Sequence, residues 1–379
     1  MRRIPLLLLV LSVGCAQPRV KPGDPLPGLD KTRIDHFAVG KAVFTRRFTP
    51  EDGLGPLFNA SSCGECHEEP APGGRGDEVE IHVARLRPDG TCDTLENQGG
   101  PVIQQHVTPA LKAALGIDAE PAPEGVTKAH RTADLLFGFG LLDAVPDREI
   151  LAHADPEDRD HDGISGRANR GPDGSVGRFG RKAQVAHLRD FNSAALLIEI
   201  GVTSPDHLME STVGGRPLPG GVDPAGDPEI DTAAVEDLDT FVRLLAPPAP
   251  LALDRAGRRG EGLFRRIGCA ACHLPSLETG DDPVPALSHQ KVAAYTDLLL
   301  HDMGPDLSDI CMGLAGPSEF RTAPLMGLHL VTQFLHDGRA KSIDAAIRAH
   351  GGEASHARDV YRSLDETERQ ALLAFLGSL

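Results

Sequence analysis

Beyond its first fourteen residues the chain has no long uncharged apolar run, which excludes a bundle of membrane-spanning helices. Positive charge is scarce as well. Lys and Arg number 38 against 55 Asp and Glu, for a net charge of −17, and so acidic a chain repels phosphate backbones; nucleic acid is excluded as a partner. Long alternating runs of β-branched residues are missing too, which argues against a fold built on sheets.

What is present suffices for two domains: 379 residues, 40% of them hydrophobic. Residues 1–14 hold Arg2, Arg3, a leucine run and a Gly14-Cys15 junction, and read as a signal sequence. A small residue before Cys15 resembles the bacterial lipoprotein signal, in which that cysteine carries the lipid, although Ser12 stands where leucine is preferred. Plain cleavage and an uncleaved anchor are the alternatives. Each puts the body of the protein outside the cytoplasm, in the periplasm or cell envelope, and membrane contact is expected only through a lipid at Cys15. Residues 15–32 are polar and proline-bearing and read as a tether. Residues 33–246 and 254–379 are the two expected domains, separated where prolines interrupt LAPPAPLALD.

The helical signals are AAVEDLDTFVRLL, DLLFGFGLLDAV, FNSAALLIEIGV, SIDAAIRAH and DETERQALLAFLGSL. The last opens with Asp365 and Glu368 in capping-box spacing and lines up Leu372, Phe375, Leu376 and Leu379 on one face. The expected class is mainly α, with long irregular connections supplied by 42 glycines and 31 prolines.

Two motifs carry chemistry. Cys63, Cys66 and His67 form one Cys-x-x-Cys-His, and Cys269, Cys272 and His273 form the other. In this pattern two thiols bond the vinyl groups of one haem and the next residue brings its imidazole to the iron. Chance would supply about 0.005 copies in a chain of this composition. A zinc site would need pairs some 200 residues apart to converge and would leave both histidines idle, and a thioredoxin-like pair lacks its βαβ setting. Two covalently bound haems are therefore expected, with His67 and His273 as proximal ligands. The strings GPLFNASSCGECH and EGLFRRIGCAACH also place Phe58 and Phe264 alike, which predicts two copies of a short helix leading into a haem-binding turn.

The strings LFRRIGCAACH, YTDLLLHDMGPDL, FRTAPLMGL and FLHDGRAKSIDAAIRAHGGEA, with GLGPLFNASSCGECH, DHDGISGRANR and GRFGRKA in the first half, resemble the di-haem oxidoreductase family. That family is related to bacterial di-haem cytochrome c peroxidases and to the enzymes that mature methylamine dehydrogenase. The resemblance implies two cytochrome-c-like haem domains. It also implies electrons passing from the C-terminal haem to the N-terminal haem, there reducing a small oxidant such as hydrogen peroxide. A small cytochrome or a cupredoxin is the implied electron donor. A non-catalytic electron carrier and an oxidase of a thiol or protein partner remain alternatives.

In the related peroxidases a methionine fourteen residues after an HDG histidine is the sixth ligand of the C-terminal haem. Counting from His336 here reaches His350, which makes a bis-histidine second haem the first choice, with Met303 and His301 as competitors. His82, His106 and His130 are candidates at the first haem, as is an open position. Glu199 is either a distal acid or a solvated helix-face residue. The relatives carry a tryptophan between their haems; this chain has none, which leaves Tyr295 and Tyr361 as relays, Tyr295 the better placed. Asp158, Asp160, Asp162 and Gly163 repeat the first half of a calcium loop, but Asn169 stands where its closing glutamate belongs. Whether Cys92 and Cys311 pair is open.

Overall fold

The computed structural model describes residues 20–379, and the expected signal segment and Cys15 lie outside them. Among the described residues helix makes up 33% and strand 14%, so helix leads while irregular backbone exceeds both. Among the described residues no helix is long and apolar enough to cross a membrane.

Two helix crossings organise the molecule, one in each half. In the first, α1 (Lys31–Thr45) lies across a helix over Thr232–Leu244; in the second, a helix over Arg255–Arg266 lies across one over Glu366–Leu376. All four begin on an aspartate whose side chain accepts an amide in the first turn: Asp30, Asp231, Asp254 and Asp365. In chain order α2 is Cys63–Cys66 and α3 is Leu188–Ile200, so the crossing helices above are α1 with α4 and α5 with α6.

The two crossings are built alike. A Cβ on Gly40 would lie 1.8 Å from the Asp237 carbonyl oxygen, and one on Gly260 would lie 2.0 Å from that of Ala371. Only glycine lets these backbones approach so closely. Four residues on, Phe44 meets Phe241 with ring centroids 5.0 Å apart, and Phe264 meets Phe375 at 5.4 Å. The repeat therefore pairs Phe264 with Phe44, and not with Phe58. Phe58 sits in a two-residue strand, Leu57–Phe58, against His106–Val107, so the helix expected before the first motif is absent there.

Three further expectations change. Sparse strand signals notwithstanding, the first half holds an antiparallel sheet in which β1 (Val79–Leu86) pairs with β2 (Cys92–Asp93), β3 (Val102–Ile103) and β4 (Thr127–Thr132). Charged side chains alternate irregularly along β1, which hid its period of two. The tether is packed over residues 24–26: Leu26 is buried and its amide donates to the Leu244 carbonyl at 2.8 Å. Nor is the division at residues 244–253 clean. Leu277, Leu287, Val292, Leu298 and Leu299 belong to the first core, since the chain returns to it after the second motif. Arg131 and Lys182 of the first half pair with Asp309 of the second at 2.8 and 2.9 Å, and Cys92 is disulfide-bonded to Cys311.

Candidate haem sites

At the first motif, α2 is a single turn, so Cys63 and Cys66 stand three residues apart on one face. Glu65 accepts from the Ser61 amide at 2.6 Å and fixes the entry to this turn. His67 follows, its amide closing the turn on the Cys63 carbonyl at 3.1 Å. Its Nδ1–H donates to the Gly74 carbonyl at 3.1 Å, and the Asp134 backbone also lies against the ring.

The second motif repeats this logic after α5. Cys269–Ala271 is a 3₁₀ turn, the His273 amide donates to Cys269 at 3.0 Å, and His273 Nδ1–H donates to the Tyr295 carbonyl at 3.0 Å. Tyr295 has a left-handed backbone, φ 51°, a costly conformation for a tyrosine that turns its carbonyl toward the imidazole. Its ring packs edge-on against Phe264 and Phe375.

A cavity of about 330 Å³ opens beside Cys269, Cys272 and His273, and His350 and Met303 line it too. His350 Nδ1–H donates to the Ala346 carbonyl at 2.8 Å, which leaves its Nε2 free. Burial lowers the pKa of His67 and of His350, and lowers that of His273 to about 4 with help from His350. All three are neutral at pH 7, the form in which an imidazole ligates iron. Burial pushes the Cys63 and Cys269 thiols up to about 12 and Cys66 higher still, so none behaves as a thiolate nucleophile.

His301 lines the same cavity with both nitrogens already engaged, Nε2 with Asp297 at 2.8 Å and Nδ1 with Glu353 at 2.7 Å. Burial opposes its charge, yet hydrogen bonds to Asp297, Cys272 and Glu353 prevail and push its pKa up to about 12. A doubly bonded imidazolium has no lone pair to give a metal. His336 differs: it stacks on Phe320 at 4.4 Å and faces Asp309 at 3.9 Å, beyond hydrogen-bond reach, and burial lowers its pKa to about 4.

Around the first motif stand two carboxyls. Glu199 accepts from Asn59 Nδ2 at 2.8 Å, and its charge is felt at both Cys63 and Cys66. Burial, then the neighbouring Glu80, raises its pKa well above the usual range, so this is no solvated helix-face glutamate. Glu80 went unnoticed in the sequence because it reads as one more charge in a polar stretch. It hydrogen-bonds His82 Nε2 at 2.9 Å, while Nδ1 of His82 is buried without a partner. His106 and His130 are exposed.

Between the motifs the cavity reaches Arg75, Asp134, Arg181 and Arg321. Asp134 pairs with Arg181 at 2.6 Å and Arg321 at 3.3 Å, and Nε of the buried Arg321 has no partner. Three guanidiniums to one carboxylate leave an excess positive charge suited to the carboxylates of a haem. Of the calcium loop, Asp158, Asp160 and Asp162 do converge, but their oxygens accept the loop's own amides of Gly163, Asp162 and Ile164. Asn169 is buried and bonded to the carbonyls of Lys182 and Met312, away from that role.

The family described as "Di-haem oxidoreductase, putative peroxidase" matches residues 117–379, which include the second motif. Among solved structures the chain is similar to the Kuenenia stuttgartiensis hydrazine synthase, with 13% identity, all of both chains covered and a TM-score of 0.42. It is similar to a MauG-like protein associated with microbial copper homeostasis, with 17% identity, coverage of 99% and 95%, and a TM-score of 0.41. It is also similar to the dihaem peroxidase BthA from Burkholderia thailandensis E264, with 15% identity, coverage of 95% and 89%, and a TM-score of 0.43. No curated protein matches.

Proposed function

The chain belongs to the di-haem oxidoreductase family, and we propose that it is an exported c-type cytochrome with haem attached at Cys63 and Cys66 and again at Cys269 and Cys272. Haem supplies one-electron chemistry: in this reading electrons arrive at the C-terminal site from a small cytochrome or cupredoxin and reach the N-terminal site, where hydrogen peroxide or a similar oxidant is reduced.

The observation that carries the proposal is the inequality of the two sites. At the second, His273 and His350 border one cavity, each with Nδ1 tied to a carbonyl and Nε2 free. These two imidazoles would hold the iron of a bound haem between them and leave it no place for a substrate. At the first, His67 alone has its Nδ1 tied to a carbonyl, and the group set near the cysteines is Glu199, oriented by Asn59. Burial and the neighbouring Glu80 favour the protonated form of Glu199, whose proton could be given to a leaving oxygen. The cationic cluster of Arg75, Arg181 and Arg321 holds acidic groups between the two sites. Secretion and a lipid at Cys15 belong to the same proposal.

One observation favours a second reading, a carrier with no substrate: the unpartnered Nδ1 of His82 offers a sixth ligand to the first iron. Electron paramagnetic resonance of the oxidised holoprotein separates the two. One high-spin signal that changes on adding peroxide supports the enzyme. Two low-spin signals indifferent to peroxide would sink it.

A further inference from the structure

The outer face of α5 is lined with arginine. Gly257, Gly260, Leu263 and Phe264 turn inward and are buried, while Arg255, Arg258, Arg259, Gly262, Arg265 and Arg266 are exposed. The exposed positions recur at spacings of three and four, so they form one stripe along the helix. Nothing overhangs its middle, since a Cβ on Gly262 would meet no atom within 4 Å. The helix gives the stripe a length of about 18 Å, and it ends at the second motif, where Gly268 and Cys269 line the cavity just beyond Arg266.

The stripe is short of counter-charge. Among the described residues two carboxylates form ion pairs with its five guanidiniums: Glu261 with Arg265 at 3.3 Å, and Glu368 with Arg259 at 3.4 Å and Arg266 at 2.8 Å. Asp254, at the head of the helix, accepts the Gly257 amide. Five arginines against Asp254, Glu261 and Glu368 still leave an excess of two positive charges. The side chains of Arg259, Arg265 and Arg266 stay 52%, 56% and 62% exposed, open to a further partner. This is a local reversal in a chain of net charge −17, and the first motif has the opposite surroundings: Glu68, Glu69, Asp77 and Glu78 are all exposed between His67 and Glu80.

We propose that the arginine stripe of α5 is the docking surface for the electron donor, and that the donor is a small redox protein with an acidic face. At 0.1 M salt charges are screened beyond about 10 Å, so an approaching protein responds to the stripe rather than to the charge of the whole chain. An acidic face is drawn to the second motif and repelled from the first. Arginine suits such a surface, because its guanidinium pairs carboxylates in a fixed fork. A membrane surface fits less well, since the stripe carries no apolar side chain to enter a bilayer. On contact one electron passes from the donor's metal centre, oxidised by one, to the ferric haem of the second site, reduced by one; no bond forms or breaks. The proposal rests on the reading that electrons enter at the second site, and adds the surface that admits them and the charge of the partner.

The test uses the holoprotein with an acidic plastocyanin as probe. Chemically reduced holoprotein is mixed with cupric plastocyanin, and the second-order rate of haem oxidation is followed by stopped flow. Binding is read separately, from the broadening of amide resonances of isotope-labelled cuprous plastocyanin. Rate and affinity should both fall about tenfold or more between about 0.05 and 0.5 M salt. The triple variant Arg255→Glu, Arg258→Glu, Arg265→Glu should lower both about tenfold at low salt. Lysine at the same three positions should keep both within about threefold, which separates lost charge from a misfolded helix. Glu68→Lys with Glu69→Lys should change neither by more than about twofold. No effect of charge reversal on the stripe, or a larger effect at Glu68 and Glu69, would overturn the proposal. So would capture by anionic phosphatidylglycerol vesicles that the triple variant loses while its exchange with plastocyanin stays that of the parent. No peroxide enters these measurements, so a chain inert to peroxide would sink the peroxidase reading and leave the docking surface standing.

Discussion

Glu353 accepts from Nδ1 of His301 at 2.7 Å and, with its two oxygens, from the amide and hydroxyl of Ser165 at 3.1 and 2.6 Å. One carboxylate thus joins the charged imidazole beside the second motif to the acidic loop of the first half. With Asp297 on its other side, His301 is locked as an imidazolium. Removing it strands two carboxylates, and His301→Gln should cost about 3–5 kcal/mol, read by denaturant unfolding at pH 6. The sign with pH follows from the raised pKa. The contribution is whole below the unfolded value, near 6.5, and drains away as pH climbs toward about 12. Parent stability should therefore fall from pH 7 to 10 more steeply than that of His301→Gln; parallel curves would contradict the charged state.

The free Nε2 of His350 and the thioether of Met303 compete for the second iron. His350→Ala should keep two haems per chain by pyridine haemochrome assay and convert one low-spin signal to high-spin. Met303→Ala should leave the spectrum as it was. The reverse pattern would transfer the ligand role to Met303.

For Glu199 the expected effect is on turnover alone. Glu199→Gln keeps the shape and the Asn59 contact but has no acidic proton, so peroxide reduction should fall by about 10²–10⁴ at unchanged haem content. An unchanged rate would move the proton donor elsewhere, Glu80 being the next to replace.

Gly40→Ala and Gly260→Ala each push a methyl into a facing carbonyl. Each should destabilise by about 1–3 kcal/mol or more, measured by chemical unfolding, whereas alanine at Gly262, which has open space around it, should be nearly silent.

What could be read directly from the chain was whatever depends on neighbours in sequence. Cys-x-x-Cys-His is a local motif, and so is the cap at Asp365, which accepts the Glu368 amide at 2.8 Å. The same aspartate cap precedes α1, α4 and α5 and could have been found in the sequence. The paired Gly-x-x-x-Phe strings at Gly40 and Gly260 are legible as well, although the Leu-Phe spacing shared by Phe58 and Phe264 is the more conspicuous. Groups that meet only after folding could not be read. Nothing adjacent to Asp134 indicates Arg321, and nothing near Glu199 indicates Asn59. The commitment of His301 was hidden for the same reason, since a histidine in HDMG looks free until Asp297 and Glu353 are brought to it.

The bond between Cys92 and Cys311 spans the proline-broken connection between the halves, whose residues 250–252 lie exposed. A protease that cuts there severs the polypeptide without separating its parts. The products should travel as a single species in denaturing gels and come apart only under a reductant, each piece bearing one Cys-x-x-Cys-His. The haem stain on the two bands would then report the loading of each site separately, with no substitution in the chain.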